Sequence, residues 1–163
     1  MKRTGLLSRL WEFQNNYGYI SENAITEIAQ ELNVSKIEIE GVISFYHFFH
    51  VKPTGKYIIY LNSSIVSEFK GYSKVKAAFE KETGCTFGVY SKDPLFSLFE
   101  TSCIGLSDQE PAALIDFQPF TDLTPEKVKL IINQLKGGLY PEQIANNPKS
   151  KIQYTPEVSK TVF

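Results

Sequence analysis

The sequence predicts an α/β protein with a helical bundle placed ahead of a layered α/β domain. Three observations lead to that class. Apolar residues recur with a helical period through residues 4–50. A Pro/Gly turn, "KPTG" at residues 52–55, then marks a change of period. Beyond it, short apolar runs and helical patterns follow in the order β-α-β-β-α, which builds a sheet covered by helices.

The elements follow in order. "LLSRLWEFQNNYG" places Leu6, Leu7, Leu10, Trp11 and Phe13 on one apolar face, and Gly18 ends that helix. Ser21 is the expected N-cap of a second helix, whose Ala24, Ile25, Ile28, Ala29 and Leu32 keep a period of about 3.6. Ser35 and Glu38 form a capping-box pattern that opens a third. Tyr57 to Leu61 read as a buried strand, and "SKVKAAFEKETG" as a helix stopped by Gly84. "PLFSLFETSC", "AALIDFQ" and "PFTDL" supply three further strands. Thr124, Pro125 and the pair Gly137-Gly138 punctuate a last helix. The expected boundaries are a bundle over 1–52, an α/β domain over 53–138 and an extended tail over 139–163.

Composition narrows the function. A chain of 163 residues with 42% hydrophobic residues buries a real core. A formal net charge of −1 argues against nucleic-acid binding. No apolar run approaches the roughly 20 residues that cross a bilayer, and the basic start "MKRTGLLSRL" has no signal-peptide core. The expectation is a cytoplasmic protein with no membrane insertion. Cys85 and Cys103 are its two cysteines, too few and too far apart for dithiol chemistry. Neither a Ser/His/Asp order nor a Gly-rich phosphate loop is present, so no flavin or nicotinamide site is expected in this chain.

Four groups of residues attract attention. Cys103 lies in "FETSCIGLSDQEPA", a setting like half of an iron–sulfur ligand motif, although a lone cysteine near a strand end is ordinarily a small buried hydrophobe. His47 and His50, three apart, share a helical face and with Cys103 suggest zinc, but their aromatic surroundings favour packing. Glu27, Glu31, Glu38 and Glu40 fall on outer helix faces, where solvation explains them. Phe45, Tyr46, Phe48 and Phe49 cannot all face one core, so part of this run is expected at an interface.

Five stretches, "GYISENAITEIAQELNV", "GVISFYHFF", "KPTGKYIIYLN", "FSLFETSCIG" and "LTPEKV", resemble the thioredoxin-like 2Fe–2S ferredoxin subunits over residues 6–137. In that family this is the small subunit of the NADH-dehydrogenase module of Complex I, of NAD-linked hydrogenases, formate dehydrogenases and electron-bifurcating complexes. The resemblance implies a thioredoxin-like domain and a cluster held by Cys-x4-Cys and Cys-x3-Cys. It places those four ligand positions at Asn62, Ser67, Cys103 and Ser107, so that three thiols are replaced. From the loss of those soft anionic donors follows the expectation of a vestigial site, with no catalytic residue, no metal and no cofactor in this chain. The implied role is an accessory, structural subunit of an NAD(P)H-linked redox complex. Its implied partners are a flavoprotein that binds FMN and NADH and carries iron–sulfur clusters, and further redox subunits. An atypical cluster or metal at Cys103, with active electron transfer, is the alternative.

Overall fold

Leu6, Leu10, Ile25 and Ile28 draw the first two helices together because their spacing puts all four on facing apolar stripes. The structure is a computed structural model that describes residues 5–90 and 93–145. These residues form two compact units, the first ending at Gly55 and the second starting at Lys56.

The first unit holds α1 (Leu6–Tyr17), α2 (Glu22–Leu32) and α3 (Lys36–Phe45). Gly18 ends α1 in the left-handed region at φ 78°, and its N–H donates to the Gln14 carbonyl. A side chain there would be strained, so glycine suits the position. Ser21 and Ser35 cap α2 and α3 by accepting from the N–H groups of Ala24 and Glu38. Ile20, Ile39, Ile43 and Phe49 complete the core. Arg9 joins Glu12, Glu27 and Glu31 at the surface, an exposed network of small net value.

The second unit is built on β1 (Tyr57–Asn62), in which every residue but Ile58 is buried. Two helices, α4 (Ile65–Phe69) and α5 (Tyr72–Thr83), lead to β2 (Phe96–Thr101), which pairs parallel to β1. A hairpin of β3 (Ala113–Ile115) and β4 (Gln118–Phe120) lies on the other side of β1, giving the order β2-β1-β3-β4. Its turn holds Asp116 and Phe117 at φ 47° and 66°, and the Asp116 carboxylate accepts the Ile58 N–H at 2.9 Å. The next helix, α6 (Pro125–Lys136), has Thr124 as its N-cap. Tyr57, Ile59, Leu61, Phe96 and Leu98 of the sheet pack with Val75 and Phe79 of α5 and Val128 and Ile132 of α6. Full burial of Phe79 alone is worth about 1.5–3 kcal/mol.

One expectation changes here, and one element arises without a sequence signal. The tail from residue 139 was expected to be extended; instead α7 (Pro141–Ala145) forms, and Ile144 and Ala145 join the core. The Tyr140 carbonyl accepts from the N–H groups of Gln143 and Ile144, and the Gln143 side chain accepts the Tyr140 N–H, which closes the turn. Residues 146–163 of the expected tail lie outside the described residues. The apolar pattern also gave no sign of α4, whose five residues are too few to show a period.

Candidate functional site

The four positions singled out by sequence fall on two loops at one end of the sheet. β1 ends at Asn62, and Ser64 then caps α4, so Ser67 sits inside that short helix. β2 ends at Thr101, which leaves Cys103 in the following loop and Ser107 at the start of a 3₁₀ turn over Ser107–Gln109. The loops are tied directly to one another. Ser63 donates to the Thr101 carbonyl from its N–H at 3.0 Å and from its hydroxyl at 3.1 Å. Lys70 Nζ donates to the Asp108 carbonyl at 2.8 Å. The Asn62 side chain donates to Glu110.

The two loops present very different chemistry. Asn62 and Ser67 are completely buried. Both ends of the Asn62 amide are engaged: Nδ2 with Glu110 and Oδ1 with the Ser64 N–H at 3.0 Å. Ser67 Oγ is buried with no hydrogen-bond partner among the described residues. Cys103 and Ser107, by contrast, are exposed. The reading of Cys103 as a buried hydrophobe is therefore corrected: β2 stops two residues earlier, and Gly105 at φ 83° turns the loop outward. Cys103 Sγ lies 3.3 Å from Ser107 Oγ and accepts the Gly105 N–H at 3.4 Å. The Ser107 hydroxyl, and after it the Gly105 N–H, hold the Cys103 thiol below the usual range, while nearby Glu110 opposes them.

Glu110 was not among the singled-out residues, although it stands beside Pro111 inside the quoted motif. It is 3% exposed, and its second oxygen accepts the Ala112 N–H at 2.7 Å. Its signal was an acidic side chain in a stretch that the fold buries.

The other candidates separate. His47 is exposed and His50 is buried, so they share no site. Burial pushes the His50 imidazole down to about 4. No group of three or more His, Cys, Asp or Glu is placed to hold a metal ion among the described residues. Cys85 is buried in the core of the second unit, and neither cysteine forms a disulfide among the described residues. Of the aromatic run only Phe49 is fully in a core, because α3 ends at Phe45 and Tyr46 turns to extended backbone. Phe45 is left 75% exposed.

Comparison with known proteins decides the family. The family model for thioredoxin-like [2Fe-2S] ferredoxins matches residues 1–136. The chain belongs to that family. It is 48% identical over 144 residues to the alpha subunit of the NAD-reducing hydrogenase HoxS of Cupriavidus necator, a match that covers 88% of this chain and 24% of the relative. It is 31% identical over 134 residues to a subunit of the NADH-quinone oxidoreductase of Escherichia coli K12, covering 82% of this chain and 81% of that one. One chain of a crystal structure of an NAD⁺-reducing [NiFe]-hydrogenase superposes with a TM-score of 0.75 and 25% identity, over 93% of this chain and 25% of that chain. This chain thus spans about a quarter of the length of its hydrogenase relatives. Its homologues are subunits of NAD-linked hydrogenase and of NADH-quinone oxidoreductase.

Membership corrects the expectation that no cofactor belongs to this chain. The family is a [2Fe-2S] ferredoxin family, and it points to a cluster in this subunit. At the four assigned positions, however, stand one thiol, two hydroxyls and an amide already committed to Glu110. Those residues do not fit the four-thiolate set of such a cluster. No helix of the described residues is long and apolar enough to cross a membrane.

Proposed function

We propose that this chain is an accessory subunit of a cytoplasmic, NAD(P)H-linked redox complex, docked on a flavoprotein that binds FMN and NADH. Its own residues contribute shape and contact surface to that assembly. The observation that carries this reading is the 48% identity to a hydrogenase alpha subunit of which this chain spans only a quarter. Exposed apolar side chains support it in both units, notably Phe45 in the first and Ile65 and Phe69, 76% and 88% exposed, beside the candidate site in the second.

A second reading is active electron transfer, favoured by family membership and by the exposed, acidified Cys103 thiol. One experiment separates the two. The complex is purified with the native subunit, with Cys103→Ser, and without the subunit, and NADH oxidation is measured together with iron and acid-labile sulfide. The accessory reading expects Cys103→Ser to retain full activity and loss of the subunit to lower complex yield and activity together. Loss of activity in Cys103→Ser with an intact complex would hand the role to electron transfer. Unchanged yield and activity without the subunit would overturn both.

A further inference from the structure

We propose that Asn62 and Glu110 form a buried polar brace that locks the two site loops together, with Asn62 as the positioning residue of the first loop. The two side chains come from distant parts of the chain, 48 residues apart, and both are inside the protein. Each makes a second bond to its own loop. Asn62 Oδ1 accepts the Ser64 N–H at 3.0 Å, which sets the turn into α4. Glu110 accepts the Ala112 N–H at 2.7 Å, which sets the approach to β3. The Asn62 N–H also donates to the Ala112 carbonyl at 3.0 Å, a backbone rung one residue past the last β1–β3 pair, and the side-chain link to Glu110 lies just beyond it.

The brace has a directional logic that makes it testable. One partner must donate across the gap, and the other must offer two acceptors. Asn62→Asp would set two carboxylates face to face, which disfavours the charged pair. Glu110→Gln would offer one acceptor where two are needed, so one buried N–H faces another N–H. The reciprocal double variant Asn62→Asp/Glu110→Gln restores every bond with the roles exchanged. The new amide at position 110 would donate to the new carboxylate at position 62. That carboxylate would also accept from the Ser64 N–H, and the amide carbonyl at position 110 would accept from the Ala112 N–H.

The experiment is amide hydrogen exchange at Ser64 and Ala112 in the full chain, with circular dichroism to confirm folding. Each single variant is expected to lose at least about tenfold in protection at both amides. The double variant is expected to recover it. Unchanged protection in the single variants, or a double variant with the summed loss of both, would overturn the brace. Should a single variant fail to fold, the double variant still decides, because only a reciprocal pair is rescued by the exchange. These outcomes are independent of complex assembly and leave the accessory reading to its own test.

Discussion

The two assigned positions on the first site loop are interior and those on the second are at the surface, although sequence spacing gives them matching roles. Asn62 and Ser67 are fully buried, whereas Cys103 and Ser107 are open to solvent. Local structure causes the difference. The first loop folds at once into a capped helix, which turns Asn62 and Ser67 away from water, where a polar group without a partner is costly. The second passes through Gly105 and a 3₁₀ turn, and its Cys103 and Ser107 side chains face water. The lesson is that one ligand-like pattern can hold two kinds of position: one governed by stability and the other by reactivity.

The strongest way to break that comparison is to truncate one residue on each loop. Asn62→Ala leaves a Glu110 oxygen and the Ser64 N–H without their partners in the interior, at a cost of about 2–4 kcal/mol. Cys103→Ala removes an exposed side chain and is expected to stay within about 0.5 kcal/mol of the native protein. Urea unfolding of the two variants measures both. Equal costs would show that burial does not divide the loops.

A smaller effect sharpens the picture inside the first loop. Ser67 Oγ is buried and unpartnered among the described residues, so it contributes desolvation cost without a compensating bond. Ser67→Ala is therefore expected to leave stability unchanged or raise it by up to about 1 kcal/mol. A loss above that size in the same unfolding assay would mean that the hydroxyl has a partner in solution, such as water or a bound group.

How much of this was legible beforehand depends on the type of signal. The helices with period and punctuation were readable: Ser21, Ser35 and Thr124 cap helices as their sequence patterns require. So was the order of the strands along the chain, because Tyr57–Asn62 and Phe96–Thr101 are apolar runs with turn residues at their edges. The short helices α4 and α7 were not, since five residues give no periodic signal and their stability comes from capping and tertiary contacts. Which face of the site each residue takes was equally hidden. Asn62 and Ser107 are both polar loop residues in one dimension. Only the meeting of Asn62 with Glu110, set by the pairing of β1 with β3, sends one of them inside.

The smallest expected effect tests the second loop as a reactive surface. Cys103 lies beside the Ser107 hydroxyl and the Gly105 N–H, and both stabilise a thiolate more than a thiol. The thiolate is the nucleophile, so alkylation by iodoacetamide should follow its titration. In the native chain the rate should rise with pH around a midpoint below that of an ordinary thiol. Ser107→Ala removes the largest favourable contact, so the midpoint should move up and the rate at neutral pH should fall. The Gly105 contact remains and keeps part of the effect. Mass spectrometry of the modified peptide assigns the reaction to Cys103, since Cys85 is buried in the core. The same substitution should not change unfolding in urea, because both partners are exposed. A midpoint that stays fixed in Ser107→Ala would show that the two side chains do not interact in solution. A large stability loss would place Ser107 with the interior residues and erase the distinction between the loops.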